Sequence, residues 1–335
     1  MNQLEHFNGS SRHEADCNAI ATRRFRVSRT LVARCMVAAL FATVAGLVSW
    51  RAQYVAHGNG SDHVILQRAA ELLLDGQDPY RIAGSSHLPE LWWRLFYPLP
   101  TVVLGMPFMW LSPEACAVAF VTCSAWLLGF AMTREGFDRI AVVASIPFLA
   151  SAQFAQTGPI ILAFSLLPAM RGLAMLKPNI GIAIFAWRPA WKDVAIAGTV
   201  FVASIVLWPQ WPQRWLLTIR TQPPHHSPAL IGVGAVCLLS ILRWRRPEGR
   251  LLLAMTIVPH GLYFYDELPL FLIPSTRREV IALAITSWLG WLGWNLTSPG
   301  PRIVDTQPWV VASLYVPCLL MVLRRPNEAA SAEPT

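Results

Sequence analysis

A few ionisable residues stand out in this chain because apolar runs surround them. Asp62 follows the first apolar run, Lys177 lies inside a later one, and His260 and Asp266 fall in the apolar stretch 251–275. A carboxylate can take a proton from a hydroxyl group, and an ammonium group can hold an anion. Ionisable side chains are costly inside a membrane and mark functional sites there. Taken alone, these residues permit a transporter, a channel or an enzyme that acts on a lipid.

Residues 61–80 predict the element that positions Asp62. Their apolar side chains fall on one side of a short amphipathic helix. Gly76 supplies a C-terminal stop, and Asp78-Pro79 turns the chain away. The dipole at the helix N-terminus favours the ionised form of Asp62, which suits a general base. The alternative is that Asp62 only caps the helix.

Lys177 and the stretch 251–275 predict charged groups at membrane depth. Lys177 lies near the outer end of a predicted span, where its ammonium can meet a lipid phosphate or snorkel to the surface. The stretch 251–275 is too short for two crossings, which need about 40 residues. We therefore expect two half-helices that meet at a polar turn inside the membrane. The alternative is a turn at the outer surface, with Asp266 and Glu267 solvated.

Composition sets the class of protein. The chain has 335 residues, of which 54% are hydrophobic and only 14% charged, with 15 Trp and 26 Pro. Average globular proteins carry about 25% charged residues, and Trp and Pro are common in membrane proteins. The net charge of +8 comes from short basic clusters between apolar runs, a pattern typical of topology signals rather than nucleic-acid binding. The six Cys residues show no zinc-binding spacing.

The apolar runs predict an all-α, polytopic transmembrane helical bundle. We expect a cytoplasmic N-terminal tail at 1–30, a single transmembrane domain at 31–325 and a cytoplasmic C-terminal tail at 326–335. The first outer loop, 51–95, carries the amphipathic helix at the extracytoplasmic surface. The bundle has about 10–12 spans, including short re-entrant helices. Candidate spans other than 251–275 lie at roughly 31–50, 97–111, 115–132, 140–152, 158–170, 172–187, 194–209, 228–243, 280–297 and 309–323.

Several short motifs, in this order, resemble those of one family of membrane enzymes. The match begins at Asp62 and continues with Gly76-Gln77-Asp78-Pro79-Tyr80 and Tyr97-Pro98-Leu99-Pro100. Downstream, the pattern continues with a Gly-Gln pair, a Lys-Pro element and a Tyr-Asp segment. The corresponding residues of this chain are Gln156, Lys177-Pro178-Asn179 and Tyr265-Asp266. The chain thus resembles glycosyltransferase family 87. That family belongs to the GT-C class and includes mycobacterial mannosyl- and arabinosyltransferases.

The resemblance implies a GT-C-like fold and an inverting sugar transfer. The donor would be a polyprenyl-phosphate sugar, and the acceptor a lipid or cell-envelope glycan at the outer face of the bacterial cytoplasmic (inner) membrane. Asp62 would be the general base, and Lys177, His260 and Arg68 would hold the donor phosphate. Substrate binding would fall to Tyr80, Tyr97, Gln156, Asn179, Tyr265 and Asp266. GT-C enzymes can use a divalent metal, but the chain has no close Asp-x-Asp pair, so we predict no cofactor.

Two departures from the family pattern leave alternatives open. Ala155 replaces the Gly before Gln156, and Leu99 replaces the first Pro of a Pro-Pro pair. One alternative is a transporter or flippase of lipid-linked sugars, whose acids would couple protons. The other is an inactive membrane scaffold. All three readings share membrane lipids as partners and exclude nucleic acid.

Overall fold

The protein is all-helical and has the long apolar helices of a membrane protein. The structure, a computed structural model, describes residues 30–56, 62–82, 94–221, 225–298 and 303–327. It is 77% helix, and the described residues contain no β-strand. Those residues include four helices long and apolar enough to cross a membrane: Thr30–Val55, Pro113–Met132, Arg277–Thr297 and Gln307–Arg324. A bent pair, Trp191–Leu207 and Trp211–Ile219, is a fifth candidate, with 103° between its two halves.

The described α-helices are numbered in chain order. They are α1 Thr30–Val55, α2 Asp62–Leu74, α3 Pro79–Ile82, α4 Leu99–Val102, α5 Pro113–Met132, α6 Ile146–Gln153, α7 Gly158–Leu166, α8 Pro178–Trp187, α9 Trp191–Leu207, α10 Trp211–Ile219, α11 Pro247–Ile257, α12 Arg277–Thr297, α13 Gln307–Val310 and α14 Val316–Arg324. A π-helical turn, Val311–Tyr315, joins α13 to α14 as one span.

Short helices take the place of several predicted continuous spans. The predicted spans at 140–152 and 172–187 are each a 3₁₀ helix followed by an α-helix, Ile140–Ala144 before α6 and Arg171–Leu176 before α8. The remaining 3₁₀ helices in the described ranges are Met106–Phe108, Pro228–Leu230, Gly232–Arg243, Phe264–Leu272 and Ile303–Thr306. Pro is found near the start of many of these short helices, where its missing N–H costs nothing. Broken helices of this kind are where membrane proteins build buried sites. The expected 10–12 spans stay a prediction.

The amphipathic helix expected after the first span is confirmed as α2. Ile65, Ala69 and Leu72 are buried on its apolar side. Gly76 ends the helix in a left-handed conformation with φ 70°, as its role as a stop predicts. The polar side chain of Gln67 is buried too, and it donates to two main-chain carbonyls that precede α5, those of Met109 and Leu111.

The turn after α2 is also confirmed. The Asp78 carboxylate accepts a hydrogen bond from the Tyr80 main-chain N–H at 3.1 Å, which caps α3 at its N-terminus. The same carboxylate pairs with Arg214 of α10. The loop between α2 and α4 is therefore tied to the bent half of the α9–α10 pair.

The stretch 251–275 forms two short helices that meet at a turn, as predicted. α11 ends at Ile257, and the 3₁₀ helix Phe264–Leu272 returns from the turn. Asp266 is 6% exposed and Glu267 is fully buried. The alternative in which these two acids are solvated is therefore wrong.

Basic side chains gather at one end of the bundle, in what we call the basic layer. It consists of Arg139, Arg188, Arg243, Arg246, Arg250 and Arg325 with their acidic partners Glu135, Glu248 and Glu279. Arg250 donates to the last carbonyls of α8, and Arg243 donates to those at the end of α14. Arginines at helix C-termini satisfy unpaired carbonyls and complement the helix dipole.

Both described ends of the chain lie at this end of the bundle. Arg34, near the start of α1, donates to the Phe130 carbonyl oxygen at 3.0 Å. Phe130 precedes Glu135 of the basic layer by five residues. Arg325 directly follows α14 and bonds Glu279 at 2.6 Å. The described arginines of the basic layer and both described chain ends therefore lie at one end of the bundle. The tails at 1–29 and 328–335 lie outside the described residues.

Candidate functional site

A buried ion pair joins two of the residues picked out by sequence. The Lys177 ammonium donates to the Asp266 carboxylate, and the two side chains are only 8% and 6% exposed. The Lys177 nitrogen also lies 5.9 Å from the centre of the Tyr265 ring. Opposite charges that meet in an apolar interior hold each other in the ionised form. Lys177, Tyr265 and Asp266, predicted to act on one substrate, thus share one site.

A break in the helix positions Lys177. The residue was expected inside a continuous span, but it lies between the 3₁₀ helix Arg171–Leu176 and α8. Pro178 begins α8, and the Thr101 hydroxyl of α4 donates to the Leu176 carbonyl freed by the break. The Lys177 ammonium therefore sits at a helix N-terminus, where the dipole also favours an anion.

The chain between α6 and α7 positions Asp266 from the other side. The Ser151 hydroxyl lies 3.1 Å from the Tyr265 carbonyl oxygen, and a Cβ built on Gly158 would come within 3.0 Å of that oxygen. The ring of Phe154 packs edge-on against the Tyr265 ring. A side chain at position 158 would push the Tyr265–Asp266 segment away, so glycine is needed there.

Next to this pair lies a second polar cluster, the sealed triad of His260, Glu267 and Tyr315. All three side chains are inaccessible to solvent. The Tyr315 hydroxyl donates to Glu267 at 2.7 Å, and His260 Nε2 lies 3.2 Å from Glu267 and 3.0 Å from the Tyr315 oxygen. His260 Nδ1 faces the Val258 carbonyl at 2.7 Å. Both ring nitrogens are engaged, so His260 presents no free nitrogen to a donor phosphate.

Gln156 and Thr157 place unpaired polar atoms beside the Tyr265 segment. Gln156 is 1% exposed and Thr157 is 2% exposed, and neither Gln156 Oε1 nor Thr157 Oγ1 has a partner. Ala155, where the family has Gly, has a left-handed φ of 46°. The Gln156 main-chain N–H donates back to the Ser151 carbonyl at 2.8 Å, so the segment ends α6 in a Schellman-type turn.

An apolar cavity of about 560 Å³ runs between α8 and α9. Leu176 and Pro178, the chain neighbours of Lys177, line it. Trp211 and Trp215 of α10 line it as well, and each is fixed by an indole N–H bond, to Ser204 at 3.1 Å and to the Phe96 carbonyl at 2.8 Å. Arg171, whose guanidinium bonds Asp193 at 2.7 Å, also lines the cavity. The cavity therefore carries the Arg171–Asp193 ion pair in a largely apolar lining, and it reaches the chain neighbours of Lys177.

The remaining predicted site residues lie elsewhere or serve local structure. Asp62 begins α2, but its side chain lies outside the described residues. Arg68 pairs with Glu71 on the same helix at 2.6 Å, and its side chain is 42% exposed. The Tyr80 hydroxyl is buried and donates to the Tyr97 carbonyl at 3.0 Å. The Asn179 side chain accepts from the Ile180 N–H at 3.1 Å in the first turn of α8. These contacts do not bring Arg68, Tyr80 or Asn179 onto the Lys177–Asp266 pair.

The surroundings of two histidines, His63 and His225, follow only from the tertiary structure. His63 stacks on Phe120 with ring centres 3.8 Å apart, and burial lowers the pKa of His63 to about 3, so its ring stays neutral. His225 lies on an exposed loop, yet the charges of Asp266, His260 and Lys177 act on its ring. In the sequence His225 is one of two adjacent histidines, a pattern that does not indicate which charges lie near its ring.

Within the described ranges, no group of three His, Cys, Asp or Glu side chains lies close enough together to hold a metal ion. No model of a known protein family, no curated protein sequence and no solved structure matches the chain.

Proposed function

We propose that the protein is an integral membrane glycosyltransferase. It transfers a sugar from a polyprenyl-phosphate-linked donor to a lipid or cell-envelope glycan acceptor at the outer face of the bacterial cytoplasmic membrane. The observation that carries this proposal is the buried Lys177–Asp266 pair together with an apolar cavity that is lined by Leu176 and Pro178, the chain neighbours of Lys177. A cation next to an apolar groove matches an amphiphile with an anionic head and a hydrocarbon tail.

In this proposal each residue has a separate role in an inverting transfer. Lys177 and the N-terminus of α8 stabilise the negative charge that develops on the departing phosphate. Asp62, at the start of α2, takes the proton of the acceptor hydroxyl as its oxygen attacks the anomeric carbon. Tyr265, whose ring lies near the Lys177 ammonium, supplies a ring for the sugar, and Gln156, in the turn that packs against Tyr265, supplies a hydrogen-bonding group.

The test is sugar transfer by purified protein in lipid nanodiscs. Radiolabelled polyprenyl-phosphate mannose and polyprenyl-phosphate arabinose serve as donors, and lipid and glycan extracts of the source envelope serve as acceptors. Wild type should attach label covalently to an acceptor. Asp62→Asn and Lys177→Gln should each lower the rate by about 100-fold or more, because each removes a group that acts in the transition state.

The matched control is Asp75→Asn, which changes an exposed acid at the other end of α2. It should transfer sugar at the wild-type rate. Wild-type protein that attaches neither sugar would refute the proposal as a whole. An undiminished rate in Asp62→Asn would remove Asp62 from the mechanism.

A second candidate function, proton-coupled transport of a lipid-linked sugar, draws support from the sealed triad. Buried chains of His, Glu and Tyr are the groups through which membrane transporters relay protons. The discriminating measurement is the fate of the label in sealed vesicles. A transporter moves the intact donor across the membrane, whereas a transferase yields a new covalent product.

A further inference from the structure

We propose that the apolar cavity between α8 and α9 binds one membrane phospholipid, whose head group meets the Arg171–Asp193 ion pair. The head group that fits the pair is phosphoethanolamine, which carries a phosphate and an ammonium group with N–H donors. This inference does not rest on the proposed function, because a resident phospholipid requires no sugar transfer. A sugar donor whose chain used the same apolar walls would displace the phospholipid.

The ion pair has unused hydrogen-bonding capacity. Arg171 Nε donates to Asp193 Oδ2 at 2.7 Å. Asp193 is only 4% exposed, and its Oδ1 has no hydrogen-bond partner among the described residues. In the same part of the chain, the two Nη atoms of Arg171 also have no partner. An unpaired carboxylate oxygen is costly in an apolar interior. This end of the cavity therefore suits a ligand that brings both a donor and an acceptor.

Charge favours a zwitterionic head group. The ion pair is neutral as a whole, so it supplies no counter-charge for a ligand with a net charge. The phosphate of phosphoethanolamine can accept from the Arg171 Nη groups, and its ammonium can donate to Asp193 Oδ1. Phosphocholine has the same charges but no N–H donor. Lys192, the exposed chain neighbour of Asp193, adds a positive charge, so the anionic phosphatidylglycerol is the rival ligand.

The ion pair lies near the basic layer, at the level expected for lipid head groups. Asp193 is in the first turn of α9, which begins three residues after Arg188 of the basic layer. A Cβ built on Gly172 would come within 2.5 Å of the Asp193 carbonyl oxygen, so the segments that carry the two charges are in direct contact. Trp191, the first residue of α9, is 75% exposed, as is typical of Trp at a membrane–water interface.

The walls of the cavity fit one acyl chain. Four large apolar side chains line the cavity and are also 37–55% exposed on the bundle surface: Ile182, Phe185, Val194 and Phe201. A lipid can therefore enter sideways from the bilayer. The lining follows α9 from Asp193 to Phe201, a distance of about 12 Å. One leaflet of the hydrocarbon core is about 15 Å thick, so a chain with its head at the ion pair would reach toward the bilayer centre.

Gly198 allows the cavity to be narrowed without touching the ion pair. It lines the cavity, and a Cβ built on it would meet nothing within 4 Å. Gly198→Leu therefore places a side chain in open space and replaces glycine by a better helix former. The matched control is Ala195→Leu, at an exposed position of the same helix that does not line the cavity.

The experiment is native mass spectrometry of the full-length, delipidated protein in detergent. Phosphatidylethanolamine, phosphatidylcholine and phosphatidylglycerol with identical acyl chains are added together. Wild type should bind one phosphatidylethanolamine about tenfold more tightly than phosphatidylcholine, because hydrogen bonds to charged groups are the strong ones. Phosphatidylethanolamine methylated once or twice on nitrogen keeps an N–H donor and should also bind more tightly than phosphatidylcholine. Gly198→Leu should lose this lipid, whereas Ala195→Leu should keep it.

Asp193→Asn tests the head-group contact, since it removes the negative charge that the ammonium would meet. It should reduce the affinity for phosphatidylethanolamine to that for phosphatidylcholine, and thermal unfolding shows whether the variant is folded. The N-methyl series in wild type decides the same point without a substitution. Equal binding of phosphatidylethanolamine and phosphatidylcholine, or tighter binding of phosphatidylglycerol, would overturn the head-group assignment. Undiminished binding in Gly198→Leu would place the lipid outside the cavity and overturn the site.

Discussion

Asp266 and Glu267 are neighbours in the chain, but their carboxylates have different partners. Asp266 meets Lys177, and Glu267 meets His260 and Tyr315 in the sealed triad. The short 3₁₀ helix that carries them thus turns one acid toward the helix break before α8. It turns the other toward the bundle interior, where it anchors the helix.

The hydrogen bonds of the sealed triad fit a charged form of the cluster. His260 Nδ1 faces only a carbonyl oxygen and must carry a proton, and the Tyr315 hydroxyl gives its proton to Glu267. The remaining contacts of His260 Nε2, with a carboxylate and with the Tyr315 oxygen, are both satisfied if Nε2 is protonated too. An imidazolium and a carboxylate therefore account for every contact.

Removing the acid of the sealed triad should destabilise the protein strongly. Glu267→Gln leaves a buried imidazolium without its counter-charge and should cost about 3 kcal/mol of unfolding free energy. Tyr315→Phe removes one hydrogen bond and should cost about 1 kcal/mol. Thermal unfolding in detergent measures both, with Tyr54→Phe at an exposed position as the control. A Glu267→Gln variant as stable as wild type would mean that the triad is uncharged.

Among the helices, the turn between α6 and α7 holds a conformation that its sequence does not favour. Ala155 adopts φ 46°, a left-handed conformation that suits glycine. The hydrogen bond from the Gln156 N–H to the Ser151 carbonyl and the packing of Phe154 on Tyr265 hold the turn in place. The geometry expected of a Gly-Gln pair is therefore present although the glycine is not.

Restoring glycine at this turn should stabilise the protein. Left-handed backbone costs a non-glycine residue about 1–2 kcal/mol, part of which the entropy of glycine in the unfolded chain offsets. We expect Ala155→Gly to raise the free energy of unfolding by up to about 1 kcal/mol. The control, Ala150→Gly in the middle of α6, should lower it by about 1 kcal/mol. Equal losses in both variants would show that Ala155 is not strained.

On the scale of the whole molecule, the basic layer and the Lys177–Asp266 pair lie at opposite ends of α8. The basic layer caps the C-terminal ends of α8 and α14. The Lys177–Asp266 pair lies at the opposite end of α8, a helix of ten residues and thus about 15 Å long. α9, with 17 residues, spans about 25 Å from the region of the basic layer to the bend before α10. The site is therefore inside the bundle, away from the basic layer.

This arrangement predicts which surfaces face the same side of the membrane. Basic residues favour the cytoplasmic side, so single cysteines at Arg245, Arg278 and Arg324 should react with a charged maleimide only after cells are permeabilised. A cysteine at Gln213, exposed on α10, should react in intact cells. The native cysteines are replaced first. Labelling of Gln213 and Arg245 positions from the same side would contradict the arrangement.

The sequence by itself determined the features that depend on neighbouring residues. Composition predicted a helical membrane protein. The hydrophobic periodicity of the α2 segment predicted that helix, and Gly76 predicted where it ends. The length of 251–275 gave the pair of short helices. Each of these follows from hydrophobic pattern, capping or span length, which are properties of a local stretch of chain.

Only the tertiary structure decided which charges meet. Lys177 and Asp266 are 89 residues apart, and His260 and Tyr315 are 55 apart. A buried polar group must find a partner, but its own sequence neighbourhood does not say which helix will supply one. Packing of the broken helices paired Lys177 with Asp266 and His260 with Glu267, and it left Arg68 with Glu71 on the same helix. Partner choice is a property of how the helices pack, which hydrophobic periodicity alone does not encode.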